Sequence, residues 1–491
     1  YLKLNTAAQG ATVLNLQDNA DQVLSSSGVI NAGTQTITNQ PVTFTETAPN
    51  TGVFGTYDEN DASVLAISST AARGKSASFE FNQKSSSVVV GFGSATVGIQ
   101  PIDAEWNSGE KIPVNVVDSD ANKNSRTNED LKLNDPNVSI VPSLRIGTPF
   151  TLGNKGTEFQ MPNANSLVST EAMYFANYTK QAGNVYNNYY TIKSFVYNSG
   201  NVAGANVTVQ KFSDRALLTA NATQTVAALA LDTGASALDL QKSIHDSRKT
   251  GTMKGFNLVN LDIRGISSSI TNATVLIANT SNTNGILLKS RTAALPDYQF
   301  ASSITAAPLA INVKPQSLSL MNTTLSDTVL YGYLFDNTGA NSIGASPSTQ
   351  KIGYLIKFTS TTVTSGTTAP IAVDLFSFGY LNDGVTKDDR INNAIYRIEV
   401  EETGDNTSTF AGTLEYIMLN QLNILDSNTY LNLRPISNQV KFVVDRNLDD
   451  KDSPRVNYND LGSDGVVTQV SAQQAAPTHS GVVSFDKPTY K

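Results

Sequence analysis

Apolar and polar residues alternate along much of this chain with a period of two, the spacing of a strand with one buried face. In ASFEFN, Ala77, Phe79 and Phe81 fall on one side, and Ser78, Glu80 and Asn82 on the other. KIPVNVV alternates Ile112, Val114 and Val116, and VKFVV alternates Val440, Phe442 and Val444. In YRIEVEE the pattern turns Ile398 and Val400 inward and gives Arg397, Glu399 and Glu401 to water. Turn sequences stand between such runs: NTG at Asn50 and Asn337, NSG at Asn107 and Asn198, NDG at Asn382, GSDG at Gly462. Their Asn, Asp and Gly residues tolerate the positive φ that tight turns need. Many short strands punctuated in this way predict an all-β protein of stacked sandwiches.

One stretch breaks the period. SALDLQKSIHDSRKTG places Ala237, Leu240 and Ile244 on one helical face. Ser236 stands as N-cap, Asp239 at the third helical position and Gly251 after the last turn, which predicts a short helix near 236–250. His245 reads there as a packing or polar-face side chain.

Three internal echoes suggest repeated units. VTFTETAPNTGVFGT matches IEVEETGDNTSTFAGT through Glu46/Glu402, Thr47/Thr403, Asn50/Asn406, Thr51/Thr407 and Phe54/Phe410. Each copy reads as a turn between two strands, with Glu46 or Glu402 bracing it and Phe54 or Phe410 returning to a core. VNVVDSDAN (Val114–Asn122) matches KFVVDRNLD (Lys441–Asp449), and SFDKPTYK (Ser484–Lys491) echoes PIDAEWNSGEKI around Trp106. Trp106, the single tryptophan, reads as a core anchor. The expected partition is 1–97 as the latter part of one sandwich, 98–305 as a second domain with an insertion, 306–478 as a third, and 479–491 as the start of a following one. On this reading the chain is a piece of a longer protein. One domain over 98–478 with a long insertion is the alternative.

Composition narrows the function classes. The 491 residues suggest about three domains. Charged residues make up 15% of the chain, low for a globular protein, and Asn, Thr, Ser and Gly take their place. The net charge is −8 and no dense basic run occurs, so nucleic acid has no electrostatic footprint and cations are the expected partners. There is no cysteine and there are two histidines, which excludes disulfides and thiolate sites and argues against a multi-histidine metal centre. No apolar run is long enough for a transmembrane helix. No nucleophile elbow, zinc-protease helix, phosphate loop or dinucleotide turn is present, so the chain reads as non-enzymatic. Eight Asn-X-Ser/Thr sites, including Asn137 and Asn406, permit glycosylation.

The most specific chemistry lies in DSDANKNSRTNE. Asp118, Asp120, Asn122 and Asn124 occupy positions 1, 3, 5 and 7 of a loop of twelve, and Glu129 occupies position 12. This is the oxygen-ligand spacing of a calcium loop, with Lys123 where glycine is usual and strands in place of flanking helices. The loop DRNLDDKD offers Asp445, Asn447, Asp449, Asp450 and Asp452 as a second set of oxygen donors. Asp383, Asp388 and Asp389 read as a turn with solvated charge. The bland reading of all three is Asx-turns.

Together the ETxxNTxxF turn, the FDxxxY opening and the VVDxDxN loops resemble the surface-layer (S-layer) proteins of ammonia-oxidising archaea, the Nitrosopumilus type. Ala394–Asn423 is the closest passage, and the likeness covers residues 40–135 and 370–491. The resemblance implies tandem immunoglobulin-like domains, secretion to the cell surface, self-assembly into a two-dimensional porous lattice, and Ca2+ sites. With an acidic chain, pore walls would favour cations, ammonium among them. The other readings are a calcium-stabilised adhesin or carbohydrate-binding stack, and a secreted hydrolase with an acid pair within 150–300.

Overall fold

The computed structural model describes residues 2–4, 14–17, 29–31, 39–40, 44–55, 65–67, 76–81, 84–89, 93–102, 105–123, 127–138, 140–153, 189–192, 194–198, 201–204, 206–210, 213–220, 223–244, 255–267, 269–279, 307–321, 351–380, 390–444, 453–461, 467–476 and 484–489. These residues form mostly antiparallel sheets, joined by short helices. The protein is all-β.

The three largest sheets lie in layers. The middle one has eleven strands, among them Arg215–Thr219, Phe256–Asp262, Thr368–Tyr380, Arg390–Ile398, Ser143–Ile146 and Arg455–Leu461. Strand Thr368–Tyr380 shows why it is the middle layer. Its odd positions Ala369, Ile371, Val373 and Leu375 join one buried cluster, and its even positions Ala372, Phe376 and Phe378 join another. Successive side chains of a strand point to opposite faces, so this strand is covered on both. A six-stranded sheet closes the first cluster with Leu229, Val275 and Ile356. A five-stranded sheet of Thr96–Ile99, Lys111–Val117, Thr409–Met418, Glu401–Glu402 and Gln439–Val444 closes the second with Val114, Leu414 and Phe442. Trp106 is wholly buried there and meets Tyr416 edge-on at 4.8 Å, as a core anchor.

These pairings cross the expected boundary between 305 and 306. Lys111–Val117 runs antiparallel to Thr409–Met418. Ser143–Ile146 pairs with both Arg390–Ile398 and Arg455–Leu461, and Arg215–Thr219 pairs with Thr368–Tyr380. Described strands from 98–305 and from 306–478 thus pair within common sheets. The two Val-Val-Asp strands do not hold equivalent places in two domains. Both flank Thr409–Met418 in one sheet, one antiparallel and the other parallel.

The middle layer also corrects the reading of YRIEVEE, which gives Arg397 and Glu399 to water. Both are buried, because the face opposite Ile398 is covered too. Arg397 pairs with Asp374 (Nη2–Oδ1 2.9 Å), and neither side chain reaches solvent. Asn260 Nδ2 donates to Asp374 Oδ2 at 3.0 Å, and Arg397 Nε to the Ser213 carbonyl at 2.8 Å. Glu399 accepts from Arg264 at 2.7 Å and from the Leu133 amide at 3.0 Å.

The expected helix forms over Ala237–Ser243, with Ser236 and Asp239 closing a reciprocal capping box. Leu240 and Ile244 are buried. Gly251 and His245 lie outside the described residues. A second helix, Ser427–Leu431, is capped by Asp426.

The repeated ETxxNTxxF motif folds the same way twice. Glu46 pairs with Phe54 and Glu402 with Phe410 across the turn. Asn50 and Asn406 are left-handed (φ 61° and 56°), and so are Gly52 and Ser408 (φ 66° and 54°). Glu46 Oε1 accepts from the Gly52 amide at 2.8 Å, and Glu402 Oε1 from the equivalent Ser408 amide at 2.8 Å. Both glutamates are turn braces. The phenylalanines differ: Phe410 is buried, whereas Phe54 is 57% exposed. Phe410 opens a ten-residue strand held between neighbours. Phe54 sits in a two-residue strand that pairs only with Thr45–Glu46 among the described residues.

Candidate cation site

Several chain segments meet at the end of the five-stranded sheet where strand Lys111–Val117 stops. Asp118 follows that strand directly, and its Oδ1 accepts the Asp120 amide at 2.8 Å, an Asx-turn that folds the loop back. Tyr458 and Asp460 belong to strand Arg455–Leu461 and share a face by its period of two. Tyr458 donates its hydroxyl to Asp118 Oδ2 at 2.5 Å. The backbone before Thr96 contributes amides, with Gly93 N donating to Asp120 Oδ2 at 2.8 Å and Ala95 N to Asp460 Oδ2 at 2.6 Å. One carboxylate oxygen from each of Asp118, Asp120 and Asp460 lies within 4.8 Å of the others. Asp118 and Asp460 are buried, while Asp120 is partly open to solvent. Burial and the neighbouring Asp118 carboxylate push the Tyr458 phenol far up, so it stays a proton donor.

The three acids border a cavity of about 480 Å³ whose wall also includes Glu129, Asp130 and Asp135. Buried Arg215 holds that wall in place. Its guanidinium donates to the carbonyls of Leu133, Asp135 and Val138, the Asp135 bond being 2.9 Å. The cavity is thus shaped by the middle sheet as well as by the loop.

The arrangement differs from the calcium-loop spacing in the sequence. Asp118 and Asp120 come together, but Asn122 turns its amide to Asn406 Oδ1 (3.0 Å) and Ser408 Oγ (3.2 Å). It pins the loop to the Glu402 turn. Glu129 Oε1 closes the loop by accepting the Lys123 amide at 3.2 Å, and the Glu129 amide donates to Glu402 Oε2 at 3.2 Å. Glu129 lines the cavity outside the three-acid cluster. The third acid, Asp460, comes from a strand near the far end of the chain. Its signal was the alternation in VNYND, which turns an acid inward two residues after Tyr458. Asn124, Asp445, Asn447, Asp449, Asp450 and Asp452 lie outside the described residues, as do Asp383, Asp388 and Asp389.

Three carboxylates this close repel unless a cation or proton lies among them. Oxygens bound to one Ca2+ at about 2.4 Å can lie up to about 4.8 Å apart, so the spacing and the all-oxygen donor set suit a hard divalent cation. Compared with known proteins, the chain matches no protein-family model and no curated protein. Among the described residues no helix is long and apolar enough to cross a membrane.

Proposed function

We propose that this chain is a structural protein of an extracellular surface layer. Copies with immunoglobulin-like sandwiches assemble into a porous lattice, and a divalent cation, Ca2+ first, locks the fold at Asp118, Asp120 and Asp460. The observation that carries this reading is the convergence of those three acids from two distant segments, the loop of Asp118 and Asp120 and the strand of Asp460, in a β framework. A cation there would staple the loop after Lys111–Val117 to strand Arg455–Leu461. That is a mechanical use of a metal, and the reading assigns no catalysis. The resemblance of the ETxxNTxxF and VVDxDxN stretches supports the lattice. The net charge of −8 supports pores that favour cations such as ammonium over anions.

The test is electron microscopy of the full-length protein with Ca2+, with a chelator, and as the Asp460→Asn variant. Ordered sheets that dissolve on chelation and are weakened by the substitution are expected. Sheets indifferent to both would keep the lattice and remove the metal from it. Discrete particles under every condition would overturn the lattice and favour an adhesin.

A further inference from the structure

The outer face of the five-stranded sheet carries a second concavity, at the opposite end of strand Lys111–Val117 from Asp118. It is a cleft of about 190 Å³ lined by Lys111, Thr413, Glu415, Arg434, Gln439 and Lys441. Sheet register builds it. Lys111 lies opposite Glu415 on one side, and Lys441 lies opposite the same Glu415 on the other. A bridge sets Arg434 beside Lys441. Two ammonium groups therefore flank one carboxylate, with Arg434 one strand further out beside Lys441, on a chain whose net charge is −8.

The donors in this cleft exceed its acceptors. Lys441 Nζ pairs with Glu415 Oε1 at 2.7 Å, and Lys111 Nζ donates to Gln439 Oε1 at 2.9 Å. These contacts hold both ammonium groups at the rim. Thr413 Oγ1 is buried there with no hydrogen-bond partner among the described residues. Arg434 is exposed, and its guanidinium makes no hydrogen bond or ion pair among the described residues. A planar guanidinium beside the Lys441 ammonium, in a cleft that also holds Lys111 and the Thr413 hydroxyl, matches the fork geometry of a carboxylate.

We propose that this cleft receives an acidic side chain of a second copy of the chain, an assignment that rests on the lattice reading. Charge complementarity along one strand argues for a copy of the same chain. Lys111–Val117 has the basic cleft at its first residue and the acidic cavity just past its last, separated by about 20 Å at ~3.4 Å per residue. A molecule that is basic at one end of a sheet and acidic at the other associates head to tail. Such a contact is heterologous, so it passes from copy to copy, into a ring where the rotation closes and into an open array where it does not.

The experiment compares full-length wild type with Arg434→Gln and Lys111→Gln, using sedimentation velocity and electron microscopy at fixed ionic strength. Arg434→Gln is expected to raise the protein concentration needed for assembly by roughly tenfold or more, and Lys111→Gln by less. Added succinate is expected to inhibit wild-type assembly more than sodium chloride of equal ionic strength. Assembly of wild type and both variants at the same concentration would overturn the cleft contact and leave the lattice standing. Failure of wild type to assemble at all would overturn the lattice and this contact with it. Calorimetry of succinate supplies the remaining arm. Binding that Arg434→Gln abolishes, without any change in assembly, would assign the cleft to a free anion and overturn the second copy as occupant.

Discussion

The duplicated turn allows one substitution to be made twice in different surroundings. Glu402 Oε1 accepts from the amides of Thr407 (2.9 Å) and Ser408 (2.8 Å), and its Oε2 accepts from the Glu129 amide (3.2 Å). The residue is buried. In Glu402→Gln the single carbonyl can keep the first two donors, but the new NH2 faces the Glu129 N–H. One bond is lost, two buried donors oppose each other, and two bonds lose their charge assistance. With charge-assisted bonds at ~1.5–3 kcal/mol and neutral ones at ~0.5–1.5, the expected loss is about 3.5–6 kcal/mol. Glu46 accepts only the Gly52 amide in the hydrogen bonds seen for it, and is half-exposed, so Glu46→Gln is expected to cost about 0.5 kcal/mol. Burial by itself would raise the Glu402 pKa, but the amides of Glu129, Ser408 and Thr407 hold the carboxyl below the usual range. A depressed folded pKa gives stability that is present above the unfolded value, ~4.3, and lost as pH falls through the folded value. The gap between wild type and Glu402→Gln should therefore narrow between pH 6 and pH 3. Urea denaturation at both pH values measures it, and amide exchange at Thr407 and Ser408 localises it. An equal cost for both substitutions, or a gap independent of pH, would refute the brace.

Three further outcomes follow from the buried polar groups. Arg397→Met leaves Asp374 charged and unpaired in the middle layer and should cost about 3–5 kcal/mol, most of it recovered by adding Asp374→Leu; thermal denaturation read by Trp106 fluorescence checks this. Tyr354 is fully buried and its hydroxyl has no hydrogen-bond partner among the described residues. Tyr354→Phe should thus be neutral or stabilising by up to about 1 kcal/mol in the same assay. Asp460→Asn should lower Ca2+ affinity by about tenfold or more, by calorimetry or terbium luminescence, because it removes one of three converging charges. Asp135→Asn, in the same cavity but outside the three-acid cluster, should change affinity much less.

Local rules carried much of the fold. The alternation of Ile112, Val114 and Val116 reappears as buried and open positions along Lys111–Val117. Ser236 and Asp239 cap the helix because a capping box needs only residues three apart in the chain. The ETxxNT turn closes on itself through Glu46 or Glu402, so its sequence was sufficient to specify its geometry. Two of the three clustered acids were legible for the same reason, since Asp118 and Asp120 are joined by an Asx-turn.

The sequence by itself therefore determined the all-β class, the turns, the capped helix and the acidic loop, all set by interactions within a few residues. Tertiary structure decided the rest. Whether Arg397 faces water or Asp374 depends on a sheet covering the second face of its strand, and period two does not say how many faces are covered. Asp460 joins Asp118 only because Arg455–Leu461 is laid into the middle sheet beside Ser143–Ile146. Phe410 is buried and Phe54 exposed although their turns match, because burial depends on which strands lie alongside, and those strands come from distant parts of the chain.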